Sequence, residues 1–243
     1  MKGAFFMSTI TQRQVSAQRI KKLVMAAMFS ALAFASMFVM RINVMFLTCD
    51  VKDTIVTIAG LLFGPLYSLG ISFVVAVLEF ISIGDTGFWG LLMDFLSTAV
   101  FSCTCALIYK YKKNLKGAIV GLFSAALTMT AFMLLFNLFI VPIYTPGYTT
   151  AAVAAMVPSL FLPFNLTKGI LNAALVLILY KPVSNAMKAA RVLPYDMENR
   201  ADRNDRNKHI KFSFMVTLSG VLVAAFCILV FFVFLNGDFS LVG

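Results

Sequence analysis

The chain has 243 residues, of which 61% are hydrophobic and only 12% charged, and its mean hydropathy is +0.93. A water-soluble domain carries about 45–50% apolar and about 25% charged residues, so this chain has too little polar surface to cover a globule in water. Its net charge of +10 lies in short stretches between apolar blocks, which argues against nucleic-acid binding and fits the basic cytoplasmic loops of a membrane protein.

A bilayer crossing needs roughly 20 mostly apolar residues. The first such block, Leu23–Met40, follows Arg13, Arg19, Lys21 and Lys22. It is longer than a signal-peptide core and lacks a convincing cleavage site, so it reads as a membrane helix. It carries Ala27, Ala31 and Ala35, small residues four apart. Such a stripe lets a helix approach closely, from a partner or from within the same chain. Asp50, Lys52 and Asp53 then precede Thr54–Ile83, a block too long for one ordinary crossing. The helix-breaking pair Gly64-Pro65 divides it into Thr54–Phe63, tilted or only partly spanning, and Leu66–Ile83, which holds Glu79.

Phe88–Tyr109 is the fourth segment, with Asp94 near its start. Ala118–Ile140 is the fifth and carries Asn137, ahead of Pro142-Ile143-Tyr144. The uncharged stretch Thr145–Pro158 follows, either a lid over a site or an ordinary surface loop. Leu160–Tyr180 is the sixth segment and opens on Pro163-Phe164-Asn165-Leu166-Thr167-Lys168-Gly169, with Asn172 beyond. The stretch from Lys188 to Lys211, dense in both charge signs, reads as a flexible cytoplasmic linker. A seventh segment, Phe212–Leu235, is nearly devoid of polar residues and reads as an add-on that packs by shape.

Charge placement orients these segments. If Thr54–Ile83 crosses twice, Lys110, Lys112, Lys113, Lys116 and the basic residues from Lys181 to Lys211 share the side of the N-terminus. The connections near Gly84–Gly87 and Thr145–Pro158 then carry no Lys or Arg. The positive-inside rule puts that basic side in the cytoplasm. The expectation is an all-α, multi-pass cell-membrane protein with its N-terminus cytoplasmic: segment 1–20, a six-helix core over 21–185, a linker over 186–211 and an extra transmembrane helix over 212–236.

No G-x-x-x-x-G-K-[ST], H-E-x-x-H or G-x-S-x-G occurs, and the one histidine, His209, lies in the linker. The four cysteines form neither a disulfide framework nor a metal site, so no enzyme activity and no cofactor are expected. What remains are polar groups at membrane depth, which are expensive and face a cavity or a partner. Asn165 and Lys168, three apart, share a helix face. A lysine on the outer side opposes the positive-inside bias, which points to a ligand or an internal carboxylate such as Glu79; an internal salt bridge or a snorkelling lysine explains it too. The amide of Asn137 suits a heteroaromatic ring edge, or equally a hydrogen bond between helices. Asp94 serves as well for capping or pairing.

The Ala27/Ala31/Ala35 helix, Asp50–Asp53 followed by Leu62-Phe63-Gly64-Pro65, Asn137 with Pro142-x-Tyr144, and Pro163-Phe164-Asn165-x-x-Lys168-Gly169 together resemble the substrate-binding S components of energy-coupling factor (ECF) vitamin transporters, most closely the riboflavin-specific type. The resemblance spans roughly residues 20–185. It implies a six-helix S-component fold and capture of a vitamin near the outer face. It also implies docking of the small-residue face of the first helix on a transmembrane coupling protein (the T component), with two cytoplasmic ATPases. For riboflavin it points to Asn137, Asn165 and Lys168 on the ring edge or ribityl hydroxyls. Glu79 would pair with Lys168 or touch the ligand, and Leu47, Asp50 and Tyr144 would close over the ring. Another vitamin or precursor (pantothenate, thiamine or biotin) is the nearest alternative, and a non-transport membrane scaffold is a second. The seventh segment departs from the family pattern.

Overall fold

The computed structural model describes residues 2–45, 47–82, 87–112, 114–145, 147–189, 206–235 and 238–239. Helix α1 (Lys2–Val39) leads into strands β1 (Arg41–Val44) and β2 (Leu47–Asp50). Helices α2 (Lys52–Phe63), α3 (Pro65–Ser82), α4 (Gly87–Tyr111) and α5 (Leu115–Tyr144) follow. A short α6 (Thr150–Met156) runs through one π-helical turn, Val157–Phe161, into α7 (Leu162–Ala189). Helix α8 (Arg206–Val233) and strand β3 (Asp238–Phe239) close the order.

The break at Gly64-Pro65 falls where the sequence puts it. Gly64 has φ 104°, a left-handed backbone that glycine adopts without a Cβ penalty, and its N–H donates to Gly60 O at 2.8 Å. Pro65, lacking an N–H, starts α3 at no hydrogen-bonding cost. At 1.5 Å per residue, α2 is about 18 Å long, well short of a hydrocarbon core of about 30 Å. Nearly every residue from Lys52 to Leu62 is buried, and α2 packs on α1, α3, α4 and α7. It is an enclosed half-span at the centre of the bundle.

Five helical segments among the described residues are long and apolar enough to cross a membrane: Arg19–Val39, Pro65–Ser82, Gly87–Tyr111, Leu115–Ile143 and Thr150–Met187. Thr217–Val233 of α8 is a shorter apolar stretch. The half-span α2 and the 28-residue α8 join these five in the helical bundle. Large apolar side chains such as Leu23, Leu66, Ile81, Phe123 and Phe139 face outward, as lipid contact requires. Met25, Phe29, Val56, Ile71, Phe101 and Met129 fill the interior.

Two local expectations need correction. The all-α reading misses an antiparallel hairpin, with Ile42 opposite Cys49 and Val44 opposite Leu47. Met45, at φ 54°, makes its tight reversal, and β3 adds a third strand on β1. The stretch Thr145–Pro158, expected as a lid or surface loop, instead contains α6. Its alanine-rich sequence favours helix, the Thr149 hydroxyl caps it by accepting from the Ala152 N–H, and Val153 is buried with Val141 and Phe161. Helix α7 continues through Pro182 to Ala189 and α8 begins at Arg206, so both run into the expected linker 186–211; residues 190–205 lie outside the described residues.

Candidate functional site

The chain order gathers the hairpin, the start of α2, the end of α3, the start of α4, the end of α5 and the start of α7 at one end of the bundle. Lys110, Lys112 and Lys116 lie at or beside the helix ends that make up the other end. Two buried ammonium groups organise the polar end. Lys52 is wholly enclosed, 3.4 Å from the Asp50 carboxylate, and also pairs with Glu79 and Asp94. Arg41 reaches Glu79 at 3.6 Å. Lys168 lies 3.4 Å from the Asp53 carboxylate and donates to the Thr48 carbonyl of the hairpin at 3.3 Å.

Hydroxyls and amides bind this network to the helices. The Thr98 hydroxyl donates to Asp53 at 2.6 Å, and that of Thr54 donates to the Asn172 amide oxygen at 2.7 Å. The Asn172 amide nitrogen donates to the Lys168 carbonyl at 3.2 Å. Lys52 and Asp53, adjacent at the start of α2, project about 100° apart. One therefore serves the α3/α4 side and the other the α7 side. Asp53 also suits the first turn of a helix, where the backbone dipole favours a negative charge.

Burial alone would push the Asp50 carboxyl up, but Lys52, then Lys168 and Arg41, outweigh it and hold Asp50 below the usual carboxylate range. Asp50, Glu79 and Asp94 surround the Lys52 ammonium and offset the cost of burying it. Four carboxylates thus face three cations. Buried charges are tolerated when paired and hydrogen-bonded; every carboxylate here has a cation partner, while Asp50, Asp53 and Asp94 each keep one oxygen that accepts no hydrogen bond.

The structure brings Asp50, Glu79 and Lys168 into one network but not in the expected pairing. Glu79 does not meet Lys168; it takes Lys52 and Arg41, because the start of α2 supplies both a nearer lysine for Glu79 and a carboxylate, Asp53, for Lys168. Asn165, Lys168 and Asn172 lie at i, i+3 and i+7 on α7, and all three are buried. Asn165 donates to the Phe161 carbonyl at 2.8 Å. Asn137 is buried and donates to the Met133 carbonyl at 2.7 Å, while its amide oxygen accepts no hydrogen bond. Leu47 is half-buried and packs towards both Phe164 and Val141. Tyr144 ends α5, and its side chain lies outside the described residues.

Ala27, Ala31 and Ala35 are all exposed, on the side of α1 away from the buried Met25, Phe29, Ala33 and Met37. The stripe therefore does not serve packing within this chain. Sequence reasoning missed Arg41, Thr48, Thr54 and Thr98 as parts of the site. Arg41 carried a usable signal, since a basic residue beyond the end of the first segment opposes the positive-inside bias just as Lys168 does. The threonines carried none.

Residues 21–180 match the family model described as "ECF transporter, substrate-specific component". The chain is 31% identical over 187 residues to the riboflavin transporter RibU of Staphylococcus aureus (strain TCH60), covering 73% of this chain and 97% of that protein. It is 29% identical over 191 residues to the riboflavin transporter FmnP of Bacillus subtilis (strain 168), covering 72% and 99% respectively. A solved structure described as the S component of a bacterial ECF transporter is similar at TM-score 0.59 and 31% identity, over 70% of this chain and 99% of that one.

Proposed function

We propose, from the premise that this chain belongs to the family of ECF transporter substrate-specific components, that the vitamin it captures is riboflavin. As a member of that family it is a multi-pass membrane transport subunit and not an enzyme. The observation that carries the flavin assignment is the similarity to two riboflavin transporters over almost their whole lengths.

The chemistry of the polar end supports it. The pyrimidine edge of a flavin alternates carbonyl, N–H and carbonyl. Asn137 offers a buried amide oxygen with no hydrogen bond of its own, suited to the imide N–H. Lys168 and Asn165 offer donors to ring carbonyls or ribityl hydroxyls. Glu79 and Asp50 act through Lys52, holding the hairpin and the start of α2 in place. The hairpin at Leu47–Asp50 and the end of α5 at Tyr144 close over the ring.

In this reading the polar end faces outward and the N-terminus is cytoplasmic, as the lysines at the opposite end favour. The segment 1–20 and the residues between α7 and α8 flank the S-component core 21–185 on the cytoplasmic side, and α8 forms the appended helix. Energy comes from partner chains, a transmembrane T component and two cytoplasmic ATPases. The T component docks on the open Ala27/Ala31/Ala35 face of α1. Titration of the detergent-solubilised protein with riboflavin tests the assignment: flavin fluorescence is quenched and excess pantothenate, thiamine or biotin does not restore it. Unquenched fluorescence with a colourless purified protein overturns it.

A further inference from the structure

The family match ends at residue 180, whereas α8 begins at Arg206, so α8 and β3 are appended to the family core. Their packing is specific. Gly220, Ala224, Cys227 and Phe231 recur at spacings of four, three and four, which places them on one helix face. A Cβ on Gly220 would lie 3.1 Å from Ile178 Cγ1 and 3.3 Å from the Ala174 carbonyl of α7, so a larger residue would have to push these neighbours by a few tenths of an ångström. Phe231 is fully buried and meets Phe164 edge to face, with ring centroids 5.6 Å apart. Its cluster includes Ile42, Val44 and Cys49 of the hairpin. Strand β3 then pairs with β1, Phe239 opposite Ile42 and Asp238 opposite Asn43.

These contacts converge on the two elements that bound the candidate site. Phe164 directly precedes Asn165 and lies one turn from Lys168 on α7. The hairpin supplies the Thr48 carbonyl that holds Lys168 and the Asp50 carboxylate beside Lys52. An isolated pair of four-residue strands is marginal at best. A third strand and a buried aromatic anchor change that balance.

We infer that the C-terminal helix and strand form a strap that holds the β1–β2 hairpin against α7, and that Phe231 is its positioning residue, setting how often the hairpin opens for ligand entry and exit. The kinetic half of this inference rests on the riboflavin reading; the structural half does not. Opening of the hairpin is a local event whose free energy sets both amide exchange and access.

The test uses the full chain in detergent, with Phe231→Ala, Phe231→Leu and Phe239→Pro. The last places a proline in β3, opposite Ile42, where a strand tolerates it poorly. Hydrogen exchange over residues 41–50 is measured without ligand, and riboflavin association and dissociation are followed by stopped-flow fluorescence. Phe231→Ala and Phe239→Pro are expected to raise exchange in the hairpin and to speed both rates by roughly ten-fold, with a smaller change in Kd. Phe231→Leu, which refills most of the volume, restores exchange and rates towards those of the unaltered protein. Hairpin exchange unchanged in Phe239→Pro overturns the strap, even if Phe231→Ala fails to fold. Faster hairpin exchange with unchanged riboflavin rates overturns its role in access. A protein that binds no riboflavin at all refutes the flavin reading, and hairpin exchange still decides the strap.

Discussion

Replacing Lys52 by methionine is the sharpest perturbation of the polar end. The side chain is wholly enclosed and its ammonium serves Asp50, Glu79 and Asp94 together. Methionine keeps the length and apolar stem, so the change isolates the charge. Four carboxylates would then face two cations, Arg41 and Lys168. Breaking a buried pair by removing one partner costs about 3–5 kcal/mol, because the other charge is left uncompensated. For a chain of this size each kcal/mol moves the midpoint by roughly 2–4 °C, so the expected loss is on the order of 6–20 °C. A thiol-reactive fluorophore measures it once the half-buried Cys103 is replaced by alanine, since Cys49, Cys105 and Cys227 are buried and become reactive on unfolding. The triple variant Lys52→Met, Glu79→Gln, Asp94→Asn leaves Asp50 and Asp53 against Arg41 and Lys168, and is expected to regain most of the loss. A single variant that melts like the unaltered protein refutes the claim that Lys52 neutralises this cluster. A triple variant no better than the single one shows that shape, not charge, is what Lys52 provides.

Lys168→Met is expected to weaken riboflavin binding by roughly ten- to hundred-fold, the worth of a hydrogen bond to a charged group, as read by fluorescence titration. Adding Asp53→Asn to it removes the stranded carboxylate; the melting temperature recovers and the affinity does not. Asn137→Leu removes the unbonded acceptor and is expected to cost about ten-fold in affinity with little change in melting temperature; an unaltered Kd would remove Asn137 from the site. Ala31→Trp on the exposed face of α1 is expected to leave riboflavin binding intact while abolishing uptake in cells that supply the partner chains. Loss of binding in the isolated protein would mean that the stripe supports the fold and not docking.

The segment pattern was legible because it rests on composition over long windows. Gly64-Pro65 marks its own turn, and the lysine clusters choose two crossings over one. The hairpin was not legible. Each strand has only four residues, the alternation of Ile42 with Val44 is too brief to stand out, and Met45 at a left-handed turn is not the Asn-Gly or Asp-Gly pair that announces one. The helix α6 was hidden by its flanking Pro and Gly residues, although its alanines favour it. At the site, the cost of burying charge flagged Glu79, Asp94 and Lys168 individually. Their pairing depends on where the half-span α2 inserts, a tertiary fact that no local pattern encodes. Hence the sequence points Glu79 to Lys168 or to a ligand, whereas in the structure it pairs with Lys52 and Arg41.

In the proposed site, the geometry of Lys168 would link ligand capture to the hairpin more closely than separate binding and lid elements would. Its ammonium is shared between Asp53 at the start of α2 and the Thr48 carbonyl in the hairpin. A ligand carbonyl that takes this ammonium competes with one or both. Loss of the Thr48 contact frees the hairpin from α7 on its ligand side, while α8 and β3 still hold it on the other. Loss of the Asp53 contact leaves that carboxylate with Thr98 alone, in a cluster that already has one negative charge too many. The lower-cost route is therefore displacement of Thr48 with the Lys168–Asp53 pair kept, since a backbone carbonyl near the protein surface is more readily re-satisfied than a buried carboxylate. Riboflavin bound through Lys168 should then change amide exchange at residues 47–50 more than at the start of α2. The opposite pattern would place the ligand between Lys168 and Asp53.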